Sequence, residues 1–444
     1  MAFDGGYANT RISVDSGVQA YQVRVYDCTA PVAFVGKGSI ELKGNTYTQV
    51  LNWYDTAYAG AITSGSDHPV VFDVPVKATE TFSMQYRNLA AIHGGRGYIA
   101  FTKQVEGGNV FAIQGDVRVA GNASAQNLLL HEQLKALPSK RTRLSVLPGG
   151  SIEATCQTMP QSGANCDMCI YSNATVTIRN DADAECLWGH DAERTPIEVK
   201  RFGLFDCRAP LGGSSKIAFA GEGEVRLADT GTRATSDYPV VFDGVTFAVD
   251  RFAAGHPVIL KGSPTWASKA DWTYSLGEVA MPAGETLTVD TGDLDDASVA
   301  HSVRIDSPLV ADRVVKAGVG TLTLGSAGNR IGALRVDAGT LDISGAQSFG
   351  SLDFAAGTAL RLGGKDAHIS IASGGLDFTM FTIEIAPSAF SGMKSWTTVL
   401  TVPEGVAASG TPVFASNVKV RVVEGETGTS YQVKCATGFM TVIR

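Results

Sequence analysis

The sequence predicts an all-β protein, a parallel β-solenoid with loop insertions and one short helix. Three observations predict it: apolar and polar residues alternate in short runs, glycine separates the runs, and one repeat recurs near the C-terminus. Segments 39–42 and 224–227 show the alternation, because every second residue is apolar, as in a strand with one buried face. Glycine accounts for 50 of the 444 residues, and it supplies the positive φ angles that tight corners between strands require.

The repeat has the length of one solenoid coil. Thr321, Thr340 and Thr358 begin similar segments at spacings of 19 and 18 residues. Such a period is too short for a propeller blade and suits one coil, stacked about 4.8 Å from the next. The related form Gly-x-Gly-x-apolar-x-Leu begins at Gly36, Gly221 and Gly318.

A longer duplication indicates two related modules, at 20–80 and 199–250. Segment 26–31 matches 205–210, and segment 66–73 matches 236–243. The chain is therefore predicted to contain a first β-helix module with an aromatic loop (1–124), a helix and cysteine-bearing insertion (125–198), a second module (199–280), and a regular repeat region with a C-terminal cap (281–444).

The one predicted helix covers residues 125–137. Ser124 is a suitable N-cap, Pro138 ends the segment, and three leucines between them share one helical face.

Two groups of aromatic residues are candidates for ligand binding. The first copy of the duplicated module carries an extra loop at about 43–60, and loops added to a rigid scaffold often carry binding residues. Aromatic rings can stack on the apolar faces of sugars, although burial in the protein is the alternative for both groups. The candidates are Trp53, Tyr54 and Tyr58 in the loop, and Trp266, Trp272 and Tyr274 further along the chain.

Seven cysteines give the most specific chemical pattern, and four of them lie within 156–186. Cys156, Cys166, Cys169 and Cys186 are candidates for disulfides that close a loop between the modules. A zinc site formed by Cys166, Cys169, Cys186 and His190 is the weaker alternative, and unpaired buried thiols are a third. At matching positions of the two copies, Cys28 and Cys207 are expected to be small buried groups facing the coil interior.

Several classes of function are disfavoured. The net charge of −8 gives no overall basic excess for binding nucleic acid. No apolar run is long enough for a transmembrane helix, and no nucleophile elbow, phosphate-binding loop or zinc-protease helix is present. The carboxylates of segment 290–296 match no complete calcium motif, so a solvated turn is expected there. We expect no cofactor and no catalytic residue, and the presence of an enzyme activity stays open.

Residues 316–324 (KAGVGTLTL) and 329–341 (NRIGALRVDAGTL) resemble the passenger-associated repeat of bacterial autotransporters. The resemblance is good over about 30 residues of the chain and looser over 280–365. It implies a right-handed parallel β-helix, a secreted or cell-surface location in a bacterium, and a role in adhesion or display.

The leading hypothesis is therefore a secreted or surface-exposed structural and adhesive protein, whose partner is a host or environmental glycan or a surface protein. A carbohydrate-binding or polysaccharide-cleaving β-helix is the alternative, and an intracellular or phage-type structural solenoid is the third. The first residues contain no basic segment followed by an apolar one, so we expect a signal peptide to have been removed or truncated.

Overall fold

The computed structural model describes residues 2–4, 10–21, 23–26, 28–43, 62–64, 67–78, 81–86, 97–107, 110–130, 142–158, 166–179, 186–187, 197–209, 211–212, 217–230, 239–252, 258–364, 366–386, 395–414 and 418–435. These residues form strands and connecting turns, and none of them lies in a helix. The chain divides into two compact units. Unit 1 contains Met1–Val241 and Ala253–His256, and unit 2 contains Phe242–Phe252 and Pro257–Arg444.

The described residues of unit 1 form β-strands that are joined by turns and loops. They are β1 (Ala2–Asp4), β2 (Thr10–Ser13), β3 (Val18–Ala20), β4 (Val23–Tyr26), β5 (Val32–Val35), β6 (Ile40–Leu42), β7 (Ile62–Ser64), β8 (Val70–Asp73), β9 (Val76–Ala78), β10 (Thr81–Tyr86), β11 (Ile99–Phe101), β12 (Val105–Glu106), β13 (Val110–Gln114), β14 (Asp116–Val119), β15 (Asn122–Leu130), β16 (Thr142–Val146), β17 (Ser151–Thr158), β18 (Cys166–Ile170), β19 (Thr175–Ile178), β20 (Cys186–Leu187), β21 (Ile197–Val199), β22 (Leu204–Cys207), β23 (Leu211–Gly212), β24 (Ile217–Gly221) and β25 (Glu224–Asp229).

The strands of unit 1 stack in three parallel ladders, which confirms the predicted parallel β-helix. Ladder 1 runs through β2, β5, β8, β11, β14, β16, β18, β21 and β24. Ladder 2 runs through β3, β6, β9, β12, β15, β17, β19, β22 and β25. Ladder 3 runs through β1, β4, β7, β10 and β13, joins the far halves of β15 and β17, and continues to β20 and β23.

The core of unit 1 lies inside the coils, where the inward residues of successive strands stack on one another. Phe34, Phe72 and Phe101 occupy one register position of ladder 1, and each is at most 1% exposed. The Phe34 and Phe72 rings stack with centroids 4.6 Å apart, and the Phe72 and Phe101 rings with centroids 5.1 Å apart. Each coil therefore covers the apolar face of the next coil, as expected for a solenoid.

The predicted helix at 125–137 is wrong over its described part. Residues 125–130 belong to β15, which pairs in parallel with β17, and residues 131–137 lie outside the described residues. Leu128 and Leu130 are both fully buried, so the core-facing residues follow the period of two of a strand. Pairing with neighbouring coils overrides the helix propensity of an alanine- and leucine-rich segment.

Strand β26 (Val240–Asp243) contains residues of both units, and the later strands belong to unit 2. They are β27 (Thr246–Arg251), β28 (Val258–Lys261), β29 (Thr265–Ser268), β30 (Trp272–Tyr274), β31 (Val279–Ala280), β32 (Thr286–Asp293), β33 (Ser302–Ile305), β34 (Leu309–Ala317), β35 (Thr321–Leu324), β36 (Arg330–Val336), β37 (Thr340–Ile343), β38 (Ala346–Phe354), β39 (Thr358–Leu362), β40 (His368–Ile371), β41 (Gly375–Asp377), β42 (Phe381–Ile385), β43 (Thr397–Pro403), β44 (Ala407–Ser409), β45 (Val413–Phe414), β46 (Val418–Gly425) and β47 (Gly428–Cys435).

Unit 2 also consists mainly of parallel ladders, and three steps of one ladder are equal in length. One ladder runs through β30, β33, β35, β37, β39, β42 and β45. Ser302 pairs with Thr321, Thr321 with Thr340, and Thr340 with Ala359, so three successive coils each advance by 19 residues. The predicted period is confirmed, although Ala359 and not Thr358 occupies the third position.

The second main ladder of unit 2 ends in antiparallel strands. It runs in parallel through β27, β29, β32, β34, β36, β38, β40 and β43. Strand β47 then pairs antiparallel with both β43 and β46. Beside this ladder, β41 and β44 form a separate parallel pair.

The Gly-x-Gly element marks a corner where two coils approach closely. Gly36 has a φ of 138°, and its neighbour Gly38 donates its backbone N–H to Val14 O at 2.7 Å. A β-carbon on Gly38 would overlap the backbone carbonyl of Ser16 in the preceding coil. Position 38 therefore requires glycine because there is no room for a side chain, and position 36 favours glycine because of its positive φ angle.

Candidate functional site

The outer surface of unit 1 contains a polar groove of about 420 Å³ that crosses ladder 2. Five strands or strand ends contribute to it, because successive coils present their outward residues side by side. The lining residues are Lys77, Ala78, Glu106, Ser124, Ala125, Gln126, Glu153, Ala154, Thr155 and Arg179.

Strand register aligns three of the four charged residues of the groove in one column. Lys77 pairs with Glu106, Glu106 with Ser124, and Ser124 with Glu153. At about 4.8 Å per coil, Lys77 and Glu153 are about 14 Å apart along the ladder. The groove is therefore elongated, and its long direction is the direction in which the coils stack.

Each charge in the groove is partnered by a charge of opposite sign. Lys77 Nζ lies 2.9 Å from Glu106 Oε2, and Arg179 Nη2 donates to Glu153 Oε2 at 2.8 Å. Gln104 also donates from Nε2 to Glu106 Oε1 at 3.0 Å. The hydrogen bond to Glu106 and the charge of its carboxylate raise the pKa of Lys77 above its ordinary value.

Small residues form the floor of the groove. Ala125 and Ala154 are paired in register on β15 and β17, and Ala78 lies at the end of β9. Ala78 and Ala154 are almost fully buried, whereas Ala125 is half-buried. The lining also contains uncharged polar residues: Ser124 and Gln126 on β15, which lies between the strands of the two ion pairs, and Thr155 on β17.

This arrangement suits binding better than catalysis. Both carboxyl groups of the groove, on Glu106 and Glu153, are engaged in ion pairs. The groove contains donors and acceptors of both charge signs, and these can hydrogen-bond an uncharged polar ligand.

The aromatic candidates of unit 2 are in the core. Trp266 and Tyr274 are fully buried, and Trp272 is 7% exposed. The Trp266 and Trp272 rings stack with centroids 4.5 Å apart, and Trp272 Nε1 donates to Ser268 Oγ at 3.2 Å. Rings packed in this way present no face on which a sugar could stack. The other candidates, Trp53, Tyr54 and Tyr58, lie outside the described residues.

Among the cysteine candidates, Cys169 carries a free, buried thiol, so the disulfide predicted for it is absent. Its register partners in ladder 1 are Ser145 and Glu198, so neither adjacent strand places a cysteine opposite it. Its Sγ donates to Glu198 Oε2 at 3.6 Å, and burial is the largest cause of the raised pKa of the thiol.

The remaining cysteine predictions are only partly covered by the structure. The structure describes the backbone but not the side chains of Cys156, Cys166 and Cys186, which lie in strands. His190 lies outside the described residues. Within the described part, no group of three or more His, Cys, Asp or Glu residues is arranged to hold a metal ion. The expected burial of Cys28 and Cys207 is confirmed, and Cys207 Sγ donates to Ala209 O at 3.3 Å.

The acidic segment 290–296 is a turn only in part: residues 290–293 are the end of β32, and residues 294–296 form the predicted turn. Asp293 accepts hydrogen bonds from the backbone N–H groups of Asp295 and Asp296, at 2.8 and 3.1 Å. The His301 ring contacts Asp293 Oδ2 through Nε2 at 2.9 Å, and this hydrogen bond is the main reason why the pKa of Asp293 is lowered. Its carboxylate therefore stabilises the turn.

Inspection of the sequence missed the groove, because its residues are far apart in the chain. The alternation in strands β9, β15 and β17 does mark Lys77, Ser124 and Glu153 as outward residues. No spacing rule shows that these residues are neighbours, because the coils of unit 1 differ in length.

No described residue belongs to an apolar helix of membrane-spanning length. Comparison of the whole chain with protein families, curated proteins and solved structures finds no match.

Proposed function

We infer that the chain is a structural and adhesive β-helix protein that is secreted or exposed on a bacterial surface, and that it acts by binding. The observation that carries this inference is the polar groove of unit 1, in which all four charged side chains form ion pairs. The pairing of strands in ladder 2 sets the spacing of these side chains along the groove.

The resemblance to autotransporter passenger repeats supports the surface location. Its residues fall on strands β35, β36 and β37, and leucine or isoleucine residues of β35 and β37 stack in register. In a passenger of this kind, the β-helix carries a binding surface away from the cell.

Carbohydrate binding is the second candidate function, and the shape of the groove favours it. Polysaccharide cleavage has weaker support, since both groove carboxylates are engaged with cations. The aromatic residues of unit 2 do not contribute to this candidate, because they are buried.

Adhesion can be tested with beads coated with the full chain. We expect these beads to be retained on bacterial or host-cell surfaces, and beads coated with the urea-unfolded chain to be washed away. Fractionation of the producing cells, followed by immunoblotting, should recover the protein outside the cytoplasm. Equal retention of both kinds of bead, or recovery of the protein only from the cytoplasm, would contradict the proposal.

A further inference from the structure

The groove of unit 1 has the shape of a site for an extended ligand. Its charged column begins at Lys77 on β9, passes Ser124 on β15, and ends beside Arg179, which follows β19. The register places β19 four coil steps from β9, a distance of about 19 Å. A ligand that uses the whole groove is therefore a linear chain of several units.

The charges of the groove favour a ligand without net charge. Two cations, Lys77 and Arg179, face two carboxylates, Glu106 and Glu153, so the lining is neutral in sum. An anionic polymer would meet both carboxylates, and the whole chain carries a net charge of −8. Polyanions such as nucleic acid are therefore disfavoured.

A peptide strand fits the groove less well than a hydroxylated chain. Peptides that bind as extra strands need an unpaired sheet edge. Strands β9, β12, β15 and β17 each have a parallel neighbour on both sides, so they offer no edge here. The alanine floor also provides no deep apolar pocket for a side-chain anchor.

We propose that this groove binds a neutral linear polysaccharide along the direction of coil stacking. Each sugar hydroxyl both donates and accepts hydrogen bonds, as a protein hydroxyl does. It can therefore donate to Glu106 or Glu153 and accept from Lys77, Arg179 or Gln126. This inference rests on the proposed binding function and names its ligand class.

The test is isothermal titration calorimetry of the full chain with neutral linear hexasaccharides. The probes are cellohexaose, xylohexaose, mannohexaose, maltohexaose and chitohexaose, and hexagalacturonate is the anionic comparison. We expect at least one neutral hexasaccharide to bind, and hexagalacturonate to bind at least tenfold more weakly. The variants Arg179→Ala and Gln126→Ala should each weaken that binding by about threefold to tenfold, as the loss of one exposed polar contact would.

Lys103→Ala is the matched control, because Lys103 is also an exposed cation that pairs with a carboxylate, Asp73, but lies outside the groove. Its affinity for the hexasaccharide should equal that of the unmodified chain. All of the variant positions are exposed, and far-UV circular dichroism checks that each variant is folded.

Three results would overturn the ligand assignment: no neutral hexasaccharide binds at millimolar concentration, hexagalacturonate binds more tightly, or both groove variants bind like the control. The bead assay separates this failure from failure of the proposed function. If coated beads still adhere while no hexasaccharide binds, adhesion stands and the glycan groove is refuted.

Discussion

Removing the central ring of the phenylalanine stack in unit 1 should destabilise the protein strongly. Phe72 lies between Phe34 and Phe101, with centroid distances of 4.6 and 5.1 Å, and it is fully buried. The variant Phe72→Ala removes both ring contacts and leaves a cavity inside the coils. We expect it to lower the free energy of unfolding by about 3–5 kcal/mol, as measured for phenylalanine truncations in well-packed cores.

The layered arrangement also predicts which of these residues are energetically coupled. Phe34 and Phe72 are in direct contact, so a double-mutant cycle should give a coupling of about 0.5–1.5 kcal/mol. Phe34 and Phe101 are two coils apart, or about 10 Å, and share only Phe72 between them, so their coupling should be smaller than that of Phe34 and Phe72.

Urea denaturation followed by far-UV circular dichroism measures both quantities. Tyr21→Ala is the control, because this side chain is 67% exposed and its truncation should change stability by less than about 0.5 kcal/mol. A loss below about 1 kcal/mol for Phe72→Ala would refute the packing argument, as would a coupling of Phe34 to Phe101 equal to its coupling to Phe72.

Three further predictions concern buried polar groups and glycine. Burial lowers the pKa of Lys316 from its ordinary 10.5 to about 8. Between these values Lys316 binds more protons in the unfolded chain than in the folded chain. From pH 8 to 10.5 the free energy of unfolding of the wild type should therefore rise relative to that of Lys316→Met, by an amount on the order of 3 kcal/mol. Asn329→Ala should cost about 1–3 kcal/mol, because Leu309 N–H loses its 2.8 Å acceptor, Asn329 Oδ1. Gly38→Ala should cost about 1–3 kcal/mol, because the added methyl group overlaps the Ser16 carbonyl.

Urea titrations also test these three predictions. If the free energy of unfolding depends on pH equally in the wild type and in Lys316→Met, the pH dependence belongs to other groups. If the Asn329→Ala variant is as stable as the wild type, another acceptor replaces the lost amide oxygen. For Gly38→Ala the control is Gly345→Ala, where an added β-carbon meets no atom within 4 Å, so its stability should not fall. Equal effects of the two substitutions would contradict the close approach of coils at Gly38.

Much of the fold could be predicted from the sequence, because the alternation of apolar residues is a local signal. In segment 321–324, Leu322 and Leu324 are buried and the threonines point outward, as the pattern indicates. The 19-residue coil was visible in unit 2, where successive coils have nearly equal length. The matching positions of Cys28 and Cys207 also predicted their burial correctly.

The remaining features depend on contacts that local patterns do not contain. Residues 125–130 have helix-forming residue types, but pairing of β15 with β17 makes them a strand. The groove depends on register between coils of unequal length. In ladder 2, Ile40 is 36 residues from its partner Val76, whereas only 18 residues separate Val105 from Ala123. Similarly, only packing shows that Trp266 is a core residue and not an exposed ring.

Cross-linking of cysteine pairs tests the stacked register most directly. Thr321 and Thr340 are direct partners on adjacent parallel strands, which places their α-carbons about 4.8 Å apart, within the range of a disulfide. The double variant Thr321→Cys/Thr340→Cys should form this disulfide under mild oxidation, as identified by peptide mass mapping. Thr321→Cys/Ala359→Cys should not, since these positions are two coils apart. A disulfide in the second pair without one in the first would contradict the parallel β-helix.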